Sequence, residues 1–172
     1  MRTIAGLPLT PRLGYLLGFL ICAGLIGFAL YLQYYKYEEP CPLCMFQRVA
    51  YMVLGVVFLV AALHGPARTG AKVYGVLLLL VAAIGAAIAV RHVWLQNLPK
   101  HLVPECGPDL AYMMKRFPFF EVLGKVLAGS GQCAEVGWTF LGLSIAGWSL
   151  TWFVLLGLLA VYLTVLALRP VR

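Results

Sequence analysis

Four long apolar segments alternate with polar segments along the chain. The apolar segments cover residues 13–32, 44–63, 73–90 and 148–168, and Arg48 is the only charged residue within them. A helix that crosses a bilayer needs about 20 consecutive apolar residues. The pattern therefore predicts an all-α membrane protein, in which residues 1–172 form a single domain built as a bundle of four transmembrane helices.

The charges of the connecting segments predict how these helices are oriented. Segments 1–12, 64–72 and 169–172 contain basic residues and no acid: Arg2, Arg12, Arg68, Lys72, Arg169 and Arg172. All the acids lie in the segments 33–43 and 91–147: Glu38, Glu39, Glu105, Asp109, Glu121 and Glu135. Short loops rich in Lys and Arg stay on the cytoplasmic side. We therefore expect both termini to be cytoplasmic and the loops 33–43 and 91–147 to face outward, which in a bacterium is the periplasm or the exterior.

The composition also indicates lipid surroundings. Hydrophobic residues make up 63% of the chain and charged residues 11%, whereas about 25% of a soluble domain is charged. The mean hydropathy is +0.93. A net charge of +7 would point to nucleic acid in a soluble protein, but no nucleic-acid motif accompanies it. We expect membrane lipid as a partner and no nucleic acid.

Four of the five cysteines fall on the predicted outward side, where disulfides persist. They suggest two pairs, Cys41 with Cys44, and Cys106 with Cys133 across 26 intervening residues. The fifth, Cys22, lies in the middle of the first span, where a thiol behaves as a small apolar group.

The spacing of the first pair favours redox chemistry. A Cys-x-x-Cys ring closes too small a loop to restrain an unfolded chain, and the motif recurs in redox centres. A structural zinc site usually has two closely spaced pairs, and this chain has only one, so we predict no metal site. A disulfide staple and a zinc site remain the alternatives.

The residues around the first pair favour a reactive thiolate. Pro40 and Pro42 discourage a helix before the motif ends, so the second helix should begin close to Cys44. A thiolate in a first helical turn is stabilised by the positive end of the helix dipole, and Arg48 lies four residues later on the same face. A charge inside an apolar run is usually functional, although an arginine can also extend to lipid headgroups. A thiolate and a cation at the membrane interface suit a quinone, a lipid-soluble acceptor of two electrons.

Two further features lie in the outward layer. Arg91 and His92 follow the third span, and we expect them to bind the quinone, with His92 contacting a carbonyl or supplying a proton; contact with lipid headgroups is the alternative. Residues 117–127 (FPFFEVLGKVL) place an apolar face close to helical spacing, made by Phe119, Phe120, Leu123, Val126 and Leu127, with Glu121 and Lys125 on another face. This segment is too short to span, so we predict an amphipathic helix on the membrane surface; a loop helix packed on the bundle is the alternative.

Several motifs occur together: CPLC at 41–44 with QRVA at 47–50, RH at 91–92 with LQ at 95–96, RFP at 116–118, and GQCAE at 131–135 with Trp138 and FLGL at 140–143. In combination they resemble the DsbB family, the bacterial disulfide bond formation proteins B, over nearly the whole chain. Other members often carry an aliphatic residue at the position of Pro42. This departure could change the redox properties of the motif but should not abolish its chemistry.

The resemblance implies an enzyme of the cell inner membrane that reoxidises a DsbA-like periplasmic thioredoxin-fold protein and passes two electrons to ubiquinone or menaquinone. It implies that Cys41 and Cys44 are the pair near the quinone, that Cys106 and Cys133 face the partner, and that Arg48 is associated with the quinone. We expect the partner to attack Cys106 and the two pairs to exchange through a bridge between Cys41 and Cys106. The alternatives are an enzyme of the vitamin K epoxide reductase type, disfavoured because its motif lies near the end of a later span, and a non-enzymatic scaffold that binds zinc or is stapled by disulfides.

Overall fold

The computed structural model describes residues 3–4, 7–8, 10–37, 40–103, 110–129 and 131–168. Several residues of the sequence analysis lie outside this part of the chain: Arg2, Glu38, Glu39, Glu105, Cys106, Asp109, Arg169 and Arg172.

Four long helices dominate the described part of the chain. They are α1 (Pro11–Tyr35), α2 (Pro42–His64), α3 (Arg68–Gln96) and α7 (Ile145–Leu168), and each is long and apolar enough to cross a membrane. Each packs on two of the others, since α1 contacts α2 and α7 while α3 contacts α2 and α7. This arrangement confirms the predicted four-helix membrane bundle. The third helix continues beyond residue 90 to Gln96, so Arg91 and His92 lie in the helix.

Shorter elements fill the connection between α3 and α7. A 3-10 turn (Lys100–Leu102) is followed by α4 (Leu110–Arg116), α5 (Phe119–Ala128) and α6 (Gly131–Ala134). The strands β3 (Thr139–Phe140) and β4 (Leu143–Ser144) then pair as an antiparallel hairpin, and β1 (Thr3–Ile4) and β2 (Leu7–Pro8) form a similar hairpin before α1.

The bundle has a compact core and an apolar outer surface. Tyr15, Phe58 and Phe153 are among its fully buried side chains, and the Tyr51 and Phe153 rings stack with centroids 4.1 Å apart. The outer surface carries many exposed apolar residues, such as Leu63 and Leu158. Lipid solvates these side chains without the cost that water would impose, which explains why so much apolar surface faces outward.

Gly85 allows α3 and α7 to approach closely. A Cβ atom at this position would overlap the Phe153 ring, and that ring is held in place by its stacking on Tyr51. Small residues at such crossings are typical of helices packed within membranes.

We expect Gly85→Ala to lower the free energy of unfolding by about 1–3 kcal/mol, the usual cost of overpacking a core. Gly24→Ala is the matched control, because nothing lies within 4 Å of a Cβ atom at Gly24. Thermal unfolding of the two variants in detergent measures the difference, and equal stabilities would contradict the packing argument.

Candidate active site

The Cys-x-x-Cys motif forms the beginning of α2. Cys41 is the N-cap, and its Sγ accepts a hydrogen bond of 3.4 Å from the backbone N–H of Cys44. Pro42 occupies the first helical position, where the missing N–H costs nothing because that group has no partner within a helix. Its presence is therefore compatible with the local structure. The helix begins at Pro42, two residues before Cys44 and within the motif that the prolines were expected to keep non-helical, and Cys44 lies in its first turn.

The two thiols of the motif lie side by side in reduced form. The Sγ atoms of Cys41 and Cys44 are 3.3 Å apart. Cys41 is buried, and Cys44 is partly accessible. Disulfide formation therefore needs only a short approach of the two sulfur atoms.

His92 and Gln47 complete this cluster. The Nε2 atom of His92 is 3.6 Å from Cys41 Sγ, and its Nδ1 atom is 4.0 Å from Cys44 Sγ. The amide Nε2 of Gln47 lies 3.2 Å from His92 Nδ1. His92 is 3% and Gln47 4% exposed, so both are held in fixed positions next to the thiols. The sequence analysis gave no role to Gln47, although its place one turn after Cys44 on α2 was the available signal.

Cys133 belongs to the same region of the protein. It is fully buried on α6, in one apolar cluster with Cys41, Leu43 and Leu95. A small cavity of about 60 Å³ adjoins the cluster and is lined by Cys41, Cys44, His92, Gln132 and Glu135, among others. The structure thus brings Cys133 to the first pair.

A larger cavity of about 490 Å³ opens on the other side of Cys44, between α1, α2, α7 and the β3–β4 hairpin. Its volume is typical of small-molecule sites, which are mostly apolar with a few polar groups. Aromatic side chains contribute much of its wall: Phe28, Trp138, Phe140, Trp148 and Trp152. The polar lining includes Cys44, Gln47, Arg48 and Ser149. The sequence alone did not assign the tryptophans to a cavity, because Trp138 precedes β3 whereas Trp148 and Trp152 lie on α7, and their common wall depends on how these parts of the chain pack.

Arg48 lies in the wall of this cavity and is hydrogen-bonded to two neutral groups. Its Nη1 donates to Gln33 Oε1 at 2.5 Å and its Nη2 to the carbonyl of Ala29 at 3.2 Å, which ties α2 to α1. Within the part of the chain that the structure describes, no carboxylate forms an ion pair with Arg48. A cation with neutral partners next to an apolar cavity favours an electron-rich ligand.

The structure does not bring Arg91 to this cavity. Its guanidinium donates to the carbonyls of Leu127 and Ala128, and it lies 4.2 Å from the centroid of the Trp94 ring. Arg91 therefore binds the C-terminal end of α5, where a positive charge complements the helix dipole. His92, its neighbour, contacts the thiols and lines the small cavity instead of the large one.

The helix α5 forms at the predicted place. Val122 and Val126 are buried against the cluster that contains Cys41 and Cys133, whereas Phe120 is 84% exposed. The pair Glu121–Lys125 is present, with a distance of 3.0 Å between Lys125 Nζ and Glu121 Oε1. One face of α5 thus packs on the bundle. Val122 was not part of the predicted apolar face.

Comparisons with known proteins agree with this architecture. The family model described as "Disulfide bond formation protein DsbB" matches residues 11–163. A protein of Hahella chejuensis named "Disulfide bond formation protein B" is 56% identical over 162 residues, which cover 94% of this chain and 97% of the relative. A protein of the same name from Xanthomonas axonopodis pv. citri is 51% identical over 88% of each chain. Another, from Chromobacterium violaceum, is 51% identical over 86% of this chain and 89% of the relative. The chain therefore belongs to the DsbB family of disulfide bond formation proteins.

Proposed function

We propose that the protein oxidises a DsbA-like periplasmic dithiol protein of the thioredoxin fold and passes the two electrons to a membrane quinone. As a member of its family, the chain is a disulfide-forming oxidoreductase. The observation that carries the proposal is the position of Cys44. This residue lies 3.3 Å from Cys41 and also lines the large cavity together with Arg48. It therefore joins a thiol pair to a site for an apolar ligand.

The large cavity suits a quinone in size and chemistry. Trp148 and Trp152 offer flat apolar surfaces for a ring, and residues of α1 such as Leu25 and Ile26 offer an apolar path for an isoprenoid tail. Arg48 and Gln47 are two hydrogen-bond donors in the wall, next to Cys44, that would hold the ring oxygens. A bound ubiquinone or menaquinone supplies an acceptor for two electrons and two protons.

The second pair would pass the partner's electrons inward. A partner thiolate attacks Cys106 of a Cys106–Cys133 disulfide, which forms a mixed disulfide and releases Cys133 as a thiolate. Cys133 then attacks Cys41, which breaks the Cys41–Cys44 bond and releases Cys44 as a thiolate at the cavity wall. The sequence analysis expected Cys106 in this exchange, but Cys106 lies outside the described residues. Cys41 and Cys133 are buried in one apolar cluster, which supports Cys133 as the residue that attacks Cys41.

The remaining thiols would complete the cycle. The second thiol of the partner attacks the mixed disulfide, which releases oxidised partner and frees Cys106. Cys106 attacks Cys133 in the Cys41–Cys133 bridge, so the second disulfide is restored and Cys41 becomes a thiolate. Cys41 and Cys44 then close their disulfide as two electrons leave toward the large cavity. The net change is one disulfide made in the partner.

His92 and Gln47 would control protons and orientation at the first pair. With the Gln47 amide donating to His92 Nδ1, the proton of a neutral ring lies on Nε2 and points toward Cys41 Sγ, 3.6 Å away. This arrangement allows the ring to stabilise a Cys41 thiolate after the exchange with Cys106. His92 is then a positioning and proton-holding group that contacts both thiols and lines the small cavity.

The proposed reaction requires an inner-membrane protein with cytoplasmic termini and periplasmic cysteines. Lys and Arg are denser in segments 1–12, 64–72 and 169–172, with 6 in 25 residues, than in segments 33–43 and 91–147, with 6 in 68, which supports this orientation. We propose further that α5 rests on the periplasmic surface of the membrane. Its buried face contacts the bundle through Val122 and Val126, and the Phe120 ring is 84% exposed, so a membrane surface at α5 would cover it.

We expect Phe120→Ser to slow the exchange between the two cysteine pairs by about tenfold, because burying a Phe side chain contributes about 1.5–3 kcal/mol. Rapid acid quenching and thiol alkylation would follow formation of the Cys41–Cys133 bridge. Phe120→Leu keeps an apolar side chain and should exchange nearly as fast as wild type. If the rate of exchange between the two cysteine pairs is unchanged in Phe120→Ser, α5 does not anchor the loop through this side chain.

The proposed function is tested by turnover with purified protein in detergent, a reduced thioredoxin-fold dithiol protein as donor, and ubiquinone or menaquinone as acceptor. Quinone loss is followed by absorbance. Cys22→Ser is the matched control, since Cys22 is buried in the bundle core away from the site, and it should retain turnover. Absence of turnover with both quinones, in protein that is folded, would overturn the proposal.

A further inference from the structure

We propose that the reduced Cys41–Cys44 pair and His92 form a binding site for Zn²⁺, and that an occupied site cannot form its disulfide. The three residues bring ligand atoms within 4.8 Å of one another. The spacing of the cysteines alone predicted no metal site. His92 comes from α3, 48 residues after Cys44, so sequence spacing gave no sign of it. The inhibitory consequence rests on the proposed function, whereas the binding itself does not.

The distances between these atoms are close to those of a tetrahedral zinc site. Zinc binds sulfur at about 2.3 Å and imidazole nitrogen at about 2.0–2.1 Å, which places two sulfur ligands about 3.8 Å apart and a sulfur and a nitrogen about 3.6 Å apart. The structure has 3.3 Å between the Sγ atoms of Cys41 and Cys44, 3.6 Å between Cys41 Sγ and His92 Nε2, and at most 4.8 Å between the ligand atoms of Cys44 and His92. Binding would need only a small separation of the thiols and a small rotation of the ring.

The surroundings of His92 fit the ligand role. A metal-binding histidine usually has its second ring nitrogen hydrogen-bonded to another group, which fixes the orientation of the ring. Gln47 already holds Nδ1 at 3.2 Å. When Nε2 gives its lone pair to the metal, the proton moves to Nδ1, and rotation of the Gln47 amide presents its oxygen as the acceptor.

The charge and the space at the site also suit a divalent cation. Two thiolates neutralise Zn²⁺, so the complex carries no net charge in a place where His92 is 3% exposed. A buried cation without such compensation would be costly.

The fourth ligand position opens into the cavity of about 60 Å³. That space accommodates a water molecule, which has Gln132 and Glu135 as neighbouring polar groups.

Binding would compete directly with the redox cycle. It displaces two thiol protons and transfers no electrons. Once Cys41 and Cys44 are joined as a disulfide, the thiolate ligands are gone and the cation is released. Zinc therefore binds only the reduced pair. While it is bound, neither sulfur atom can exchange with Cys133 or donate electrons to a ligand in the large cavity.

Zinc titration of reduced, metal-free protein tests the binding. Cys106 and Cys133 are first replaced with serine so that only one pair remains, and a chromophoric chelator reports the free metal. We expect one Zn²⁺ per chain in the reduced protein and none in the oxidised protein. His92→Ala should weaken binding at least about 100-fold, and Gln47→Leu by about 10- to 100-fold.

Two further variants test whether His92 itself is the zinc ligand. His64→Ala removes an exposed histidine at the other end of α2 and should leave the zinc affinity unchanged. His92→Gln serves as a second replacement if His92→Ala fails to fold. Equal affinity in the His92 variants, or equal binding to oxidised protein, would overturn the proposed site.

Turnover measured with and without zinc tests the consequence separately. We expect bound zinc to stop quinone reduction, and a chelator to restore it. Full activity of the zinc-loaded enzyme would overturn the inhibitory role. If the metal-free protein fails to turn over, the proposed function fails, while the titration still decides whether zinc binds.

Discussion

Replacing Cys44 with alanine is expected to abolish quinone reduction while the protein still exchanges disulfides with its partner. Among the described cysteines, Cys44 alone lines the large cavity. Cys41 and Cys133 are buried in the apolar cluster beside it. Without Cys44, none of the described residues places a sulfur atom at the wall where the ligand would bind. Loss of an enzyme's nucleophile commonly reduces its rate by several orders of magnitude, so we expect a decrease of at least about 1000-fold.

Two readouts separate this role from general damage. Quinone absorbance measures the terminal step, and gel analysis of trapped mixed disulfides measures the attack of the partner on Cys106. In Cys44→Ala, quinone reduction should disappear and the mixed disulfide with Cys106 should still form. Cys22→Ala should retain both quinone reduction and the mixed disulfide. Quinone reduction at a normal rate by Cys44→Ala would exclude Cys44 as the residue at the acceptor.

Replacing Arg48 with methionine is expected to raise the KM for quinone by about 10- to 100-fold. A hydrogen bond from a charged group contributes about 1.5–3 kcal/mol, and each 1.4 kcal/mol corresponds to about a tenfold change in affinity. Methionine preserves much of the apolar length of the side chain but removes the charge and every donor. Arg48→Lys keeps the charge and should lie between wild type and Arg48→Met. Steady-state kinetics over a range of quinone concentrations measures the change.

Arg48 also links two helices, so its binding role needs a separate control. Its guanidinium donates to Gln33 on α1. Gln33→Ala removes that link and leaves the charge in place, and we expect it to change KM only a few-fold because the Ala29 carbonyl still accepts from Arg48. If Gln33→Ala is as damaging as Arg48→Met, the arginine acts by holding α1 and α2 together. A normal KM for quinone in Arg48→Met would exclude Arg48 as a residue that binds the quinone.

Local sequence was sufficient to predict the four long helices and the position of the Cys-x-x-Cys motif near the start of the second one. The four apolar segments are long enough to specify spans without reference to tertiary structure. Pro42 could start α2 because its constrained φ angle and missing N–H suit the first helical position. Arg48 was recognisable as a candidate because a charge in an apolar run is rare.

Contacts that depend on how the helices face one another were not predictable from sequence. His92 contacts the thiols because α3 continues past residue 90 and presents the ring toward α2. Arg91 is directed away from it, toward the end of α5, since adjacent residues of a helix point in different directions. The cavity walls formed by Trp138 and Trp148 require the β3–β4 hairpin to lie over α7, and hydrophobic periodicity does not specify that packing.

The most direct test of the account is a single turnover in the absence of any partner protein. The variant with Cys106 and Cys133 replaced by alanine is reduced, freed of metal and reductant, and mixed anaerobically with excess quinone. The account predicts one molecule of quinol formed per chain, together with oxidation of Cys41 and Cys44 to a disulfide, and none when Cys44 is also replaced. Quinone that stays oxidised while both thiols stay reduced in folded protein would contradict the assignment of this pair as the electron donor to the membrane.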